Sequence, residues 1–406
     1  MKRCVVVGTG QRGVNSYIKP IVTGHVSDVC EIVGIFDAIP ERSRVCSEDY
    51  GGLKIYYDFD EMLRDAKPDY VIVTTLDATH HEYIIKALEA GFDVVSEKPM
   101  TTSRKSALEI MKAEKKSGKK VRVTFNMRYM KPFIDFKREI MSGAIGEIKH
   151  ADFTWLLDRK HGADYFRRWH RYIKNTNSLL IHKSTHHFDV ISWIMGNKEP
   201  KSVFSRCYLD FYGKNGEYRG ECCHKCEHSA ECPFYFDLAS HEFNEKYYLD
   251  IENASGYYRD GCVFSEDIDI FDRMALSVQY TDGTTMNYSL TAYSPDEGYK
   301  ITLFGTKGRA EMIHYSSGPY KNDNILINII SPDGSVRTVE TAMLKGDHGG
   351  SDNALRDDIF RDNMPFDELG RAANSRAGYL SLAVGDMAVM SNRLKREVFI
   401  DELSDN

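Results

Sequence analysis

A chain of 406 residues is too long for one ordinary hydrophobic core, so two domains are expected. With 42% hydrophobic and 28% charged residues it has the make-up of a water-soluble globular protein. Its net charge of -7 offers no basic face to nucleic acid. The apolar run at residues 4–7 is too short for a signal peptide, and no run approaches the ~18 apolar residues of a membrane span. A cytoplasmic protein is therefore expected, its nine cysteines reduced thiols or metal ligands before they are disulfides.

In chain order, residues 4–7 read as a buried strand, interrupted by Gly8-Thr9-Gly10-Gln11-Arg12-Gly13 and followed by a helix over 14–22. Further strands are expected at 31–36, 54–57, 70–74, 93–96 and 121–125, with helices at 59–66, 81–90 and 103–116. Short apolar strands alternating with helices point to a doubly wound parallel α/β sheet covered on both faces. From about residue 130 the pattern changes. A helix over 132–141 leads into a strand at 148–156, an aromatic-basic stretch at 165–171 and a helix at 184–195. Strands follow at 273–280, 285–292, 300–304, 325–330 and 336–341, with turn signals such as Asp282-Gly283, and a late helix spans 372–394. This predicts an N-terminal dinucleotide-binding domain over 1–128. An α+β domain with a large, mostly antiparallel open sheet then spans 129–406, with a Cys-rich insertion at about 207–262.

Three segments carry chemistry. The glycine pattern follows a strand, opens a helix and is succeeded by Asp37 at the end of the second strand, the context of a dinucleotide fingerprint. Gly8 permits the tight turn, Gly10 the close approach of pyrophosphate, and Gly13 the helix–strand packing. The helix N-terminus then offers free N–H groups to phosphate. Asp37 would accept from ribose hydroxyls and repel a 2′-phosphate, favouring NAD over NADP, although Arg42 and Arg44 lie nearby. Glu97-Lys98-Pro99 ends the fifth strand, where an open parallel sheet presents its crevice, and Lys98 there could polarise or deprotonate a hydroxyl. In the helix after residue 180, His182 and His186 share a face and Asp189 follows three residues on, an imidazole pair with a neighbouring acid. Arg167, Arg168, Trp169, His170 and Arg171 precede it, as a lining for a polyhydroxylated or acidic substrate or as a basic surface loop. Cys223 and Cys226 have zinc-knuckle spacing, and Cys232 and Cys262 could complete a structural zinc site; free thiols or a disulfide are the alternatives.

Taken in order, the Gly8 fingerprint, Glu97-Lys98-Pro99 and the His182…His186…Asp189 segment followed by Trp193 resemble the glucose–fructose oxidoreductase/inositol dehydrogenase (Gfo/Idh/MocA) family over essentially the whole chain. The resemblance implies Lys98 and His186 as catalytic residues, with His182 where the family often has Asp, so the general base stays open. It implies a cofactor site from Gly8, Thr9, Gly10, Gln11, Arg12, Gly13, Asp37, Thr74, Thr75, His80, Glu97, Lys98 and Asn126. Arg168, Trp169, Lys183, His187 and His348 would face a carbohydrate substrate, and a homodimer or homotetramer would form through the C-terminal sheet. The implied reaction is hydride transfer between NAD and a hydroxyl-bearing carbon of a sugar, glycoside or cyclitol. His348, in Asp347-His348-Gly349-Gly350, resembles a segment of the family's NAD-dependent glycosidases, which oxidise, eliminate, hydrate and re-reduce. A non-catalytic dinucleotide-binding regulator is the third reading, opposed by Lys98 and His186.

Overall fold

The computed structural model describes residues 1–404. Five parallel strands form the first sheet in the order β2-β1-β3-β4-β5: β1 Lys2–Val7, β2 Cys30–Phe36, β3 Tyr70–Val73, β4 Asp93–Ser96 and β5 Val121–Val123. Their side chains are buried on both faces because helices cover both, so the strands carry Val and Ile with little alternation. The chain leaves β1 toward β2 on one side and reaches β3 on the other. The crevice at that switch point opens beyond the carboxyl ends of β1, β3 and β4. The strand expected at residues 54–57 is reduced to a single bridge between Ile35 and Ile55, in which the Ile35 N–H donates to the Lys54 carbonyl and the Tyr56 N–H donates to the Ile35 carbonyl, each at 3.0 Å.

The second sheet has nine strands in the order β13-β12-β11-β10-β6-β9-β8-β7-β14. These are β6 Ile148–Asp158, β7 Pro200–Tyr208, β8 Arg273–Tyr280, β9 Thr285–Ser294, β10 Gly298–Gly305, β11 Gly308–Tyr315, β12 Asn324–Ile330, β13 Val336–Ala342 and β14 Val398–Phe399. Every neighbouring pair is antiparallel except β6 with β9. Strict alternation, as in β8 where Met274, Leu276, Val278 and Tyr280 point inward, leaves one face on the core and one face open. Strands β7 and β11 and the helix Ser351–Phe360 were not foreseen from sequence; Pro200 at the start of β7 and the charged Arg309 and Glu311 in β11 masked the strands.

Two helices tie the sheets together. Ser184–Ile194 is buried along most of its length, and Ser375–Leu394 packs both on it and on Arg104–Ser117 of the first sheet's cover. Gly385 lets Ser375–Leu394 approach the short helix Leu179–His182 as well, since a Cβ there would lie 2.5 Å from the Leu180 carbonyl oxygen.

Candidate active site

The glycine-rich turn is shaped by close backbone contact. Gly8 has φ +96°, and a Cβ on it would meet the Thr74 carbonyl oxygen at 2.7 Å. A Cβ on Gly13 would sit 2.0 Å from the Gly8 carbonyl oxygen. Thr74 Oγ1 closes the turn by donating to the Gly8 carbonyl at 2.6 Å. Asp37 accepts from the Thr9 N–H at 2.7 Å and the Ile39 N–H at 2.9 Å, with Arg42 Nη1 at 3.4 Å from its other side. This turn, closed to side-chain bulk at Gly8 and Gly13, fits a dinucleotide. Gly8, Thr9, Gly10, Asp37 and Thr74 would hold it, and Thr75 follows at the same strand end.

Other residues of the expected cofactor set brace the cradle. Arg12 Nε donates to Glu97 at 2.8 Å and Arg12 Nη1 reaches Asp352 at 3.4 Å, so its guanidinium is committed. Glu97 also accepts from Tyr17 Oη at 2.7 Å. Burial alone would raise its pKa, but Arg12 and Tyr17 outweigh that and hold it below the ordinary range. Asn126 donates to Asp352 at 2.7 Å, and His348, at φ +48°, bonds the same carboxylate at 3.0 Å. The His80 ring bridges the carbonyls of Pro99 and Thr75, at 2.8 and 3.1 Å, tying the ends of β3 and β4 together. Sequence reasoning missed Tyr248, whose hydroxyl accepts from the Gln11 N–H at 3.0 Å and whose ring lies under Arg42 at 5.4 Å. A segment more than two hundred residues away thus caps the fingerprint.

Beside the cradle, Lys98 Nζ donates to the His182 carbonyl at 3.0 Å. Burial strips water from its ammonium and pushes its pKa down to about 8. His182 Nδ1 lies 2.6 Å from Asp77 Oδ2; burial lowers the histidine and raises the carboxyl, so each resists its own charge. His170 packs on His182 with centroids 3.9 Å apart, and Trp169 stacks on His170 at 3.8 Å. His186 has a buried Nδ1 with no partner among the described residues, and burial beside Lys98 holds its ring neutral. Lys183 lies over Trp155 at 5.3 Å, and His187 stacks on the same indole at 4.1 Å while its Nδ1 bonds Tyr288 Oη at 2.7 Å.

Two expectations are corrected. Asp189 is not the acid beside the histidines: it is 1% exposed and takes a bidentate pair from Arg128, at 2.6 and 2.8 Å. The helix breaks at Lys183, which turns His182 toward Asp77 instead. The set Cys223, Cys226, Cys232 and Cys262 lines one cavity but does not fit a closed tetrahedral zinc site. The ligand atoms that converge within 4.8 Å among the described residues belong to Cys222, His224 and Asp260. Within the basic stretch, Arg167 and Arg171 turn to the insertion, at Cys223 Sγ and the Cys262 carbonyl, leaving Arg168, Trp169 and His170 beside His182.

A parallel sheet with a glycine-rich cradle at its switch point, joined to a large open sheet, with a buried lysine and histidines between, defines a dinucleotide-dependent oxidoreductase. The model of an oxidoreductase family with an NAD-binding Rossmann fold, GFO_IDH_MocA, matches residues 2–125, and that of its C-terminal alpha/beta domain matches residues 137–400. YteT of Bacillus subtilis (strain 168) is 35% identical over 424 residues, covering 99% of both chains. The scyllo-inositol 2-dehydrogenase (NAD(+)) of the same organism is 31% identical over 195 residues, 48% of this chain and 54% of its own. The WlbA dehydrogenase of Bordetella pertussis, solved with NADH and UDP-GlcNAcA, shares the fold at a TM-score of 0.66 and 18% identity, covering 98% of each chain. The chain belongs to the Gfo/Idh/MocA oxidoreductase family.

Proposed function

We propose that this protein oxidises a hydroxyl-bearing carbon of a sugar, glycoside or cyclitol, reversibly, with NAD as the hydride acceptor. The observation that carries this reading is the meeting of Lys98, the Asp77–His182 pair and the free Nδ1 of His186 beside the glycine cradle. The bound nicotinamide supplies the hydride chemistry, and the protein supplies position and charge. Lys98, with an amine that is partly neutral near pH 8, holds the substrate oxygen as it passes from hydroxyl to carbonyl. The neutral Lys98 amine takes the hydroxyl proton and His186 Nδ1 relays it, while the Asp77–His182 pair, bonded through the His182 carbonyl to Lys98, fixes the lysine's position. Asp37, bonded to the turn at Thr9, offers its carboxylate to the ribose hydroxyls and repels a 2′-phosphate, which supports NAD over NADP. Trp169, Lys183 and His187 line the carbohydrate side, and His348 approaches it from the loop before Ser351–Phe360. The reading includes assembly of like chains through the outer face of the nine-stranded sheet, where Ile313 and Leu326, paired on adjacent strands, are each 41% exposed.

The test is absorbance at 340 nm while NAD and a panel of sugars, glycosides and cyclitols are added to purified enzyme. NADH growing in step with one substrate supports the reading. Release of free sugar from a glycoside at constant NADH would replace it with the hydrolytic variant of the same chemistry.

A further inference from the structure

Arg259 comes from the insertion, 91 residues after Arg168, yet both guanidiniums close on one carboxylate. Arg168 Nη1 donates to Asp164 Oδ2 at 2.9 Å, and Arg259 Nη2 lies 2.8 Å from Asp164 Oδ1. Two positive charges thus face one negative charge. Arg168 Nε, Arg259 Nε and Arg259 Nη1 are buried and have no hydrogen-bond partner among the described residues. The Arg259 side chain is only 6% exposed and its guanidinium lies over the Phe236 ring at 5.5 Å, while the side chains of Arg168 and Asp164 are 22% and 31% exposed, so the cluster is approached from the Arg168 and Asp164 side. Buried guanidinium donors left unpaired are costly, and a planar oxyanion is the group that satisfies them. Asp77, another carboxylate whose charge couples to Arg168, is already committed to His182. The cluster also adjoins the reaction centre. Arg168 precedes Trp169 and His170, which stack toward His182, and its charge is felt by His182, His170 and Asp77.

We propose that Arg168 and Arg259 form an anion subsite that receives the carboxylate of an acidic sugar while Lys98 holds the hydroxyl to be oxidised. This deepens the proposed function by naming the substrate class, and it rests on that reading for the reaction but not for the binding. Asp164 pre-sets the two guanidiniums, so either arginine alone still leaves it paired. The cofactor's pyrophosphate offers similar chemistry. The substrate carboxylate is preferred because Arg168 and Arg259 couple to His170 on the catalytic side, whereas the glycine turn is capped separately by Tyr248.

The experiment is calorimetric titration of the NADH-loaded enzyme with D-glucuronate, D-galacturonate, D-glucose and D-galactose. It is repeated with Arg259→Met, Arg168→Met and Arg259→Lys, and NADH affinity and thermal midpoint are measured for each. At least one uronate should bind more tightly than its neutral counterpart. Either Met variant should weaken it ~10- to 100-fold, with partial recovery in Arg259→Lys and unchanged NADH affinity. Absence of binding by both uronates, or equal losses for acidic and neutral sugars, overturns the subsite. A fall in NADH affinity without loss of uronate preference overturns it in favour of a pyrophosphate contact. Uronates that bind selectively but never produce NADH would leave the subsite standing and defeat the dehydrogenase reading.

Discussion

At the scale of single residues, desolvation decides what the site can do. The Lys98 ammonium is penalised by burial, so its pKa falls to about 8 and the neutral amine becomes available well below the range of a free lysine. The sign follows: substrate oxidation should accelerate as pH rises through about 8 and level off above it, a profile read from kcat/KM against pH. Lys98→Met should abolish that rise and lower kcat ~100- to 10,000-fold while NADH titration stays near wild type. Burial also pushes the Asp189 carboxyl up, to about 6, but there it faces the opposite charge of Arg128. It neutralises the buried Arg128, so Asp189→Ala leaves a guanidinium unpaired in the interior. Denaturant unfolding should register a loss of ~3–5 kcal/mol. A variant equally stable but inactive would return Asp189 to the acid–base role expected from its spacing.

At the scale of elements, the glycine turn and the segment that caps it form one binding unit. A methyl group on Gly13 would lie 2.0 Å from the Gly8 carbonyl, so the turn admits no side chain there. Tyr248, in the helical turn Glu245–Leu249, takes the Gln11 N–H, and its neighbour Tyr247 stacks on Phe243 at 4.2 Å to hold the segment down. Tyr248→Phe removes the hydroxyl and keeps the ring. Fluorescence titration should show NADH bound ~3- to 10-fold more weakly, the worth of one hydrogen bond, with the far-ultraviolet spectrum unchanged. Unaltered affinity would mean that the segment only packs beside the cofactor site.

At the scale of the whole molecule, the nine-stranded sheet keeps one face for the core and leaves the other open. Light scattering should give a mass that is a multiple of the 46.4 kDa chain, and Leu326→Asp should reduce it to that of one chain. A wild-type monomer would remove the sheet from the account of assembly. The fold was largely legible beforehand, because hydrophobic period is a local property. Runs such as residues 70–73 and 273–280 declare a buried and a half-buried strand by their own side chains. Strand β7 was not legible, since its pairing with β8 and β14 depends on segments about seventy and two hundred residues away.

The sequence by itself determined the two-domain plan, the glycine turn, the acid at the end of β2, the Lys98 turn and the family. Each is written in residues close together in the chain, where spacing and local geometry suffice. Only the tertiary structure decided which acid serves His182, what Asp189 neutralises, which cysteines fail to converge, and that from the insertion Tyr248 reaches the glycine turn and Arg259 reaches Asp164. Those contacts join residues roughly sixty to two hundred and forty positions apart, and burial, which sets their charge states, is a property of the packed whole.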